Sequence, residues 1–248
     1  MSGHSKWATI KHKKGAADKA RGKLFAKLAR QIEVAAKGGG DIDANPTLRT
    51  AVQKAKAARM TNDAIDRAVK RGTGESDSGT YESIMYEGYA PGGVALLIDV
   101  LTDNRNRAGA EIRNVFTKLG GSMAEPGSVS WQFARKGIIV TAEGVDEDEV
   151  MMAALEAGAD DVVAEGENFR ITTDASAVFE VKEALDAVGI ETISADAPLV
   201  SDTVVPVTDS GEAKSILRII EALEDNDDVQ DVFSNFDISD ELMEAATA

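Results

Sequence analysis

The chain has no cysteine, which removes disulfides, thiolate metal sites and cysteine nucleophiles together. Histidine is almost as scarce: His4 and His12 are the only two. No carboxylate or thiol stands near either one in sequence, so no metal site is expected from them. With no histidine beside a Gly-x-Ser-x-Gly elbow and no GxxxxGK[ST] phosphate loop, no catalytic constellation assembles. Carboxylate pairs carry no information in a chain with 43 acids. The expectation is a protein that is not an enzyme and uses no cofactor, metal or small-molecule substrate. No apolar run reaches the roughly 18 residues of a membrane span. The opening MSGHSKWATIKHKKG lacks the apolar stretch of a secretory signal, so a cytoplasmic protein without membrane contact is expected.

What the chain does have is charge sorted by position. Residues 1–74 carry 17 Lys+Arg against 6 Asp+Glu, a balance of +11, whereas residues 75–248 carry 10 against 37, a balance of −27. Clustering that much like charge destabilises the compact state by self-repulsion, so it points to a binding role. The first 74 residues read as a polyanion-binding module, despite an acidic overall pI near 4.6. A hydrophobic content of 43% supports real cores, and 248 residues suffice for two or three domains.

The basic segment is helical in pattern. From about Ala17 to Lys37, Leu24, Phe25, Leu28 and Ile32 share one face, while Lys19, Lys23, Lys27, Arg30 and Lys37 form a separate stripe. Gly38-Gly39-Gly40 closes that helix. Asn45-Pro46 opens a second with an N-cap and a first-turn proline, and a third runs from about Asn62 to Gly72 with Ile65 and Val69 as its seam. The Gly-, Ser- and Asp-rich stretch 72–80 reads as a linker.

From Tyr81 the texture becomes α/β. Strands are expected at 81–89 and 93–101 around Pro91-Gly92-Gly93, then a helix at 104–119. A strand ending at Ser130–Phe133 precedes a fresh one at Ile138–Val140. A helix at 146–157, strands at 160–165 and 168–173, a helix at 175–187 and a strand at 191–199 complete a βαββαβ unit of ferredoxin-like order. A final β-α-β piece comprises 204–207, a helix at 209–224 and a strand at 228–236. The expected fold class is α+β and multidomain: an N-terminal three-helix bundle plus two ferredoxin-like α/β sandwich domains. Residues 1–80 hold the tail, bundle and linker. Residues 81–134 with 202–248 form a discontinuous middle domain, and 135–201 are inserted in it.

The opening GHSKWATIKHKKGAADKARGKLFAKLAR, Gly3–Arg30, resembles the start of the YebC/PmpR family. So do Met60–Ile65, Arg71–Gly74, the block YEGYAPGGVALLIDVLTDNRNR from Tyr86 to Arg107, Gly127–Val129 and Trp131–Phe133. Thr61 stands where many members have proline, and Ala90 where many have glycine. The resemblance implies a three-domain, non-enzymatic, cytoplasmic protein. It further implies either a DNA-binding transcriptional regulator, as for bacterial members, or a translation factor or activator on the ribosome, as for mitochondrial and some bacterial relatives.

Candidate contacts follow from the cations. Lys6, Lys11, Lys13 and Lys14 can neutralise phosphates without reading sequence. Trp7 either stacks on an unpaired base or plugs the bundle. His12, between Lys11 and Lys13, loses its proton readily and regains it beside phosphate. The helix stripe adds Lys19, Arg21, Lys23, Lys27 and Arg30. Its lysine bias suits backbone tracking better than bidentate base readout. Asp63 and Asp66 on the third helix argue against a helix-turn-helix reader, whose recognition helix meets bases with its N-terminal end. In the acidic body, Arg105 and Arg107 on the Thr102–Arg107 loop could clamp a phosphate, a carboxylate or a planar base. The rival reading makes that loop a helix cap through Asp103 or Asn104. The run Asp225–Asp228 lacks calcium-loop spacing and reads as a solvated turn. The partner is thus DNA, or ribosomal or transfer RNA on the ribosome, with the acidic body offering protein contacts or holding the basic tail intramolecularly.

Overall fold

The structure, a computed structural model, describes residues 18–74 and 81–247. Two compact units are present. One comprises the chain up to Ser130 together with everything from Thr203, and the other is Trp131–Asp202. The protein is α+β, with helices first and sheet-containing domains after them.

Helix α1 spans Asp18–Ala36, α2 spans Pro46–Ala57 and α3 spans Asn62–Gly72. Asn45 caps α2, its side chain accepting the Leu48 N–H at 3.0 Å, with Pro46 in the first turn as the sequence predicts. Leu28, Ile32 and Ala36 pack on Leu48, Val52, Ala55, Ile65 and Ala68. Leu24 does not join them and stays 46% exposed. The reason is length: α2 has 12 residues and α3 has 11, too few to cover the first turns of the 19-residue α1. Where α1 and α3 cross, a Cβ on Gly72 would lie 2.2 Å from the Glu33 carbonyl oxygen, so only glycine fits there. Next to it, Arg71 Nε meets the buried Glu33 Oε2 at 3.0 Å.

The middle domain is built on a four-stranded sheet in the order β10-β2-β1-β3. Its strands are β1 (Glu82–Tyr89), β2 (Ala95–Thr102), β3 (Ser122–Met123) and β10 (Val229–Ser234), with antiparallel neighbours throughout. Helices α4 (Arg105–Leu119) and α7 (Ser210–Glu224) seal it through Ile112, Phe116, Ile216, Ile219 and Leu223, all buried with Leu96, Ile98 and Val100. The expected strand near Val204–Val207 does not join this sheet. As β9 (Val205–Val207) it pairs in parallel with β11 (Phe236–Ile238) as a separate ribbon. The split between β10 and β11 falls at Asn235, whose Oδ1 accepts the Ala95 N–H at 2.8 Å and whose Nδ2 donates to the Thr203 carbonyl at 3.1 Å. A C-terminal helix, α8 (Asp240–Thr247), was not expected from the sequence. It inserts Met243 into the same core.

The second unit has the element order β4 (Phe133–Thr141), α5 (Glu147–Glu156), β5 (Asp161–Glu165), β6 (Asn168–Asp174), α6 (Val178–Ala187) and β7 (Thr192–Asp196). Its sheet order, β5-β6-β4-β7, is ferredoxin-like, and Ile139, Val150, Ile171, Val181 and Leu185 fill its core. Strand β8 (Leu199–Ser201) extends it beside Phe133–Arg135. The predicted strand at 191–199 is therefore interrupted before Leu199, where Pro198 lacks an N–H for a ladder. The predicted strand end at Ser130–Phe133 is likewise replaced. Ser130–Gln132 form a 3-10 turn and β4 runs unbroken from Phe133. The Glu87 carboxylate accepts the N–H groups of Gly127, Val129 and Ser130, at 2.7, 2.6 and 3.1 Å, which pins the backbone leading into that turn to β1.

Candidate nucleic-acid interface

Lys6, Trp7, Lys11, His12, Lys13 and Lys14 lie outside the described residues. Lys19 and Arg21 sit on α1, in a stretch whose side chains are also outside them. Lys23, Lys27 and Arg30 are described, and they do not form a face directed wholly to solvent. All three reach the turn between α7 and β10. Lys23 Nζ donates to Asp225 Oδ1 at 2.5 Å and to the Asp225 carbonyl at 3.2 Å. Lys27 Nζ donates to the Glu224 carbonyl at 2.7 Å. Arg30 NH1 donates to the Asp227 carbonyl at 2.8 Å, the Leu101 carbonyl at 3.2 Å and Asp228 Oδ1 at 3.3 Å, while its guanidinium lies over the Tyr81 ring at 5.1 Å. The turn stands at the C-terminal end of α7, where unpaired carbonyls and the helix dipole already favour cations.

Asp228 corrects the solvated-turn expectation. It is 5% exposed, and its carboxylate is shared. Oδ1 takes Arg30, and Oδ2 takes Arg107 NH2 at 2.7 Å and the Thr102 hydroxyl at 2.8 Å. Asn226 holds the turn from within, its Oδ1 accepting the Asp228 N–H at 2.8 Å. A buried carboxylate of this kind needs such partners, because an unpaired one would be costly to desolvate.

Of the two predicted readings of the Thr102–Arg107 loop, the helix cap is present. Asn104 caps α4, accepting the Arg107 N–H at 3.1 Å. Arg107 is tied to Asp228 and, at 2.8 Å, to Asp103. The hydrogen bond that Arg107 donates to Asp228, then the one it donates to Asp103, holds its pKa above the ordinary value. Arg105 is exposed, and its carbonyl accepts the Tyr86 hydroxyl at 3.3 Å. On α1, the hydrogen bond to Asp225 is the main cause that lifts the Lys23 pKa, ahead of the opposing effect of burial.

Sequence reasoning missed two arrangements. One is the meeting of α1 with the α7–β10 turn, whose partners lie as many as 202 positions apart. No local pattern could reveal it, beyond a run of acids with no other assigned purpose. The other is Glu87 as anchor of the Gly127–Ser130 loop, which ties the block beginning at Tyr86 to the Gly127–Val129 block. Burial raises the Glu87 pKa most strongly, yet the three backbone N–H donors and the Ser130 hydroxyl together outweigh it and the net direction is down. Lys37, Lys56, Arg59, Arg67 and Lys70 are further exposed cations of the bundle, interspersed on α3 with exposed Asp63 and Asp66. Arg59 alone among described non-glycine residues has positive φ, 62°. It stands just past α2 in a Schellman turn, in which the Met60 N–H returns to the Ala55 carbonyl at 2.9 Å.

Comparison with known proteins accounts for nearly the whole chain. Residues 5–75 match the TACO1/YebC protein N-terminal domain, and residues 81–236 match the TACO1/YebC second and third domain. A probable transcriptional regulatory protein of Geobacter sulfurreducens is 54% identical over 245 residues, covering 98% of this chain and 99% of that protein. One from Rubrobacter xylanophilus is 56% identical over 246 residues, 98% of each. The crystal structure of a conserved hypothetical protein from Aquifex aeolicus superposes with a TM-score of 0.78 at 43% identity, over 89% of this chain and 91% of that one.

Proposed function

The chain belongs to the TACO1/YebC family, and on that footing we propose that it is a non-enzymatic, nucleic-acid-binding regulator of gene expression, working in the cytoplasm. The family supports the regulatory role, since relatives of more than half identical sequence are named probable transcriptional regulatory proteins. The observation that carries nucleic acid as the partner is the charge sorting: +11 in residues 1–74 against −27 in the rest. Such a field attracts polyanions to one end and repels them from the other. The contacts proposed are Lys6, Trp7, Lys11, His12, Lys13, Lys14, Lys19, Arg21, Lys23, Lys27 and Arg30, with Arg105 and Arg107 as a second set.

DNA is the first reading and structured RNA on the ribosome the second. Asp63 and Asp66 favour the second, because both are exposed at the N-terminal half of α3, where a helix-turn-helix reader meets base edges. The test is direct. The purified protein is offered a DNA duplex of mixed sequence and, separately, ribosomes at low salt. A sequence-selective shift of the duplex supports transcription, and co-sedimentation with ribosomes supports translation. A chain lacking residues 1–16 that binds as tightly as the whole protein would remove the tail from the interface.

A further inference from the structure

We infer that the α7–β10 turn is an intramolecular latch that occupies the phosphate-binding cations of α1 and of the arginine loop together, so that nucleic acid must displace it to engage either. This rests on the nucleic-acid reading above and adds its regulation.

The geometry is that of a polyanion mimic. Lys23, Lys27 and Arg30 stand at positions i, i+4 and i+7, which places them along about 10 Å of one helix edge. Facing them is a row of oxygens from four residues of the segment 224–228: the Glu224 carbonyl, Asp225 Oδ1, the Asp227 carbonyl and Asp228 Oδ1. A row of phosphate oxygens would offer the same acceptors to the same donors. The two sets of partners are therefore mutually exclusive at these nitrogens.

The coupling lies in Asp228. One of its oxygens takes Arg30 from the bundle and the other takes Arg107 from the loop at the head of α4. When a phosphate draws Arg30 away, the buried carboxylate loses half of its cationic partners. The turn that holds Arg107 is then weakened as well. The outer part of the latch is the weak part. Asp225 pairs with Lys23 while exposed, and the exposed Asp227 carboxylate adds a longer-range attraction to the same lysine; such exposed charges contribute little each and less as salt rises. Closure is strong enough to filter weak, non-specific polyanions and weak enough to open for a ligand that engages several cations at once.

The test compares binding of a short DNA duplex and an RNA hairpin of equal phosphate number to the full chain and to D225N/D227N. Both positions are exposed, and unchanged melting will show that the variant folds. Removal of any two negative charges raises affinity through the general field, so D160N/D161N on the inserted unit, exposed and of equal charge change, serves as control. The latch predicts that D225N/D227N binds about two- to fivefold tighter than the control. It also predicts that this gain vanishes in a K23Q/K27Q background. Equal gains for the two acid variants, or a gain that survives K23Q/K27Q, overturn the latch and leave the nucleic-acid reading standing. Absence of binding by every variant removes that reading itself, and the latch with it.

Discussion

Arg30 and Arg107 are joined through one carboxylate: Asp228 gives Oδ1 to the first at 3.3 Å and Oδ2 to the second at 2.7 Å. Arg30 belongs to the helical bundle and Arg107 to the first turn of α4, so this shared acid ties the bundle to the sheet domain. The candidate binding surface and the joint between domains are thus made from the same side chains.

Asp228→Ala should lower stability by about 1–3 kcal/mol. It strips two guanidiniums and the Thr102 hydroxyl of their acceptor, but both arginines keep access to water or to other partners, which limits the loss. Denaturant unfolding of the two proteins measures it. A change below about 0.5 kcal/mol would make the shared carboxylate incidental.

The two loop arginines should separate. Arg105→Ala should weaken nucleic-acid binding with melting unchanged, because its side chain is exposed. Arg107→Ala should lower melting as well, since it loses Asp228 and Asp103. Together they should weaken binding by about 1–3 kcal/mol if they hold charge-assisted hydrogen bonds to the ligand. Unchanged affinity in the double variant with lowered melting would assign the loop to folding alone.

Glu87 predicts a pH dependence. Its folded pKa lies below the ordinary 4.5, so its stabilisation is fully present above that value and is lost as pH falls through the depressed folded pKa. Glu87→Gln should cost about 1–3 kcal/mol at neutral pH, and the gap between wild type and variant should close only below about pH 4.5. A gap that is constant down to strongly acid pH would refute an ionised anchor.

Arg59→Gly should raise stability by about 0.5–1 kcal/mol, because glycine takes a φ of 62° without the steric penalty that a Cβ brings. A lower melting temperature would show that the Arg59 side chain contributes more to the fold than its backbone strain removes.

Affinity for duplex DNA should fall steeply with salt. If about five phosphates are neutralised, log K should decline against log[salt] with a slope of roughly −4 to −5. A titration series at several salt concentrations gives the slope, and a value near zero would remove charge as the main determinant.

Much of this was legible before any coordinate. The Asn45-Pro46 start, the Gly38-Gly39-Gly40 stop after α1 and the βαββαβ order all rest on local chemistry: caps, glycines and period-2 or period-3.6 patterning. The errors have local causes too. Ser130–Gln132 look like strand because their residue types suit one. Leu24 looks like core because it lies on the apolar stripe. Yet Glu87 pins the backbone at Val129 and Ser130 where that segment starts, and the companion helices end before they can cover Leu24.

The sequence by itself determined the elements, the α+β class and the segregation of charge, because each depends on neighbours within a few turns of chain or on simple counting. Only the tertiary structure decided what the charges face. Lys23 and Asp225 are 202 positions apart, and nothing in the spacing of either marks the other as its partner. Their meeting depends on how the apolar seams of α1, α7 and the sheet pack, and packing is a property of the whole chain. Lys23, Lys27 and Arg30, which read as part of a free cationic face, are occupied once the chain folds.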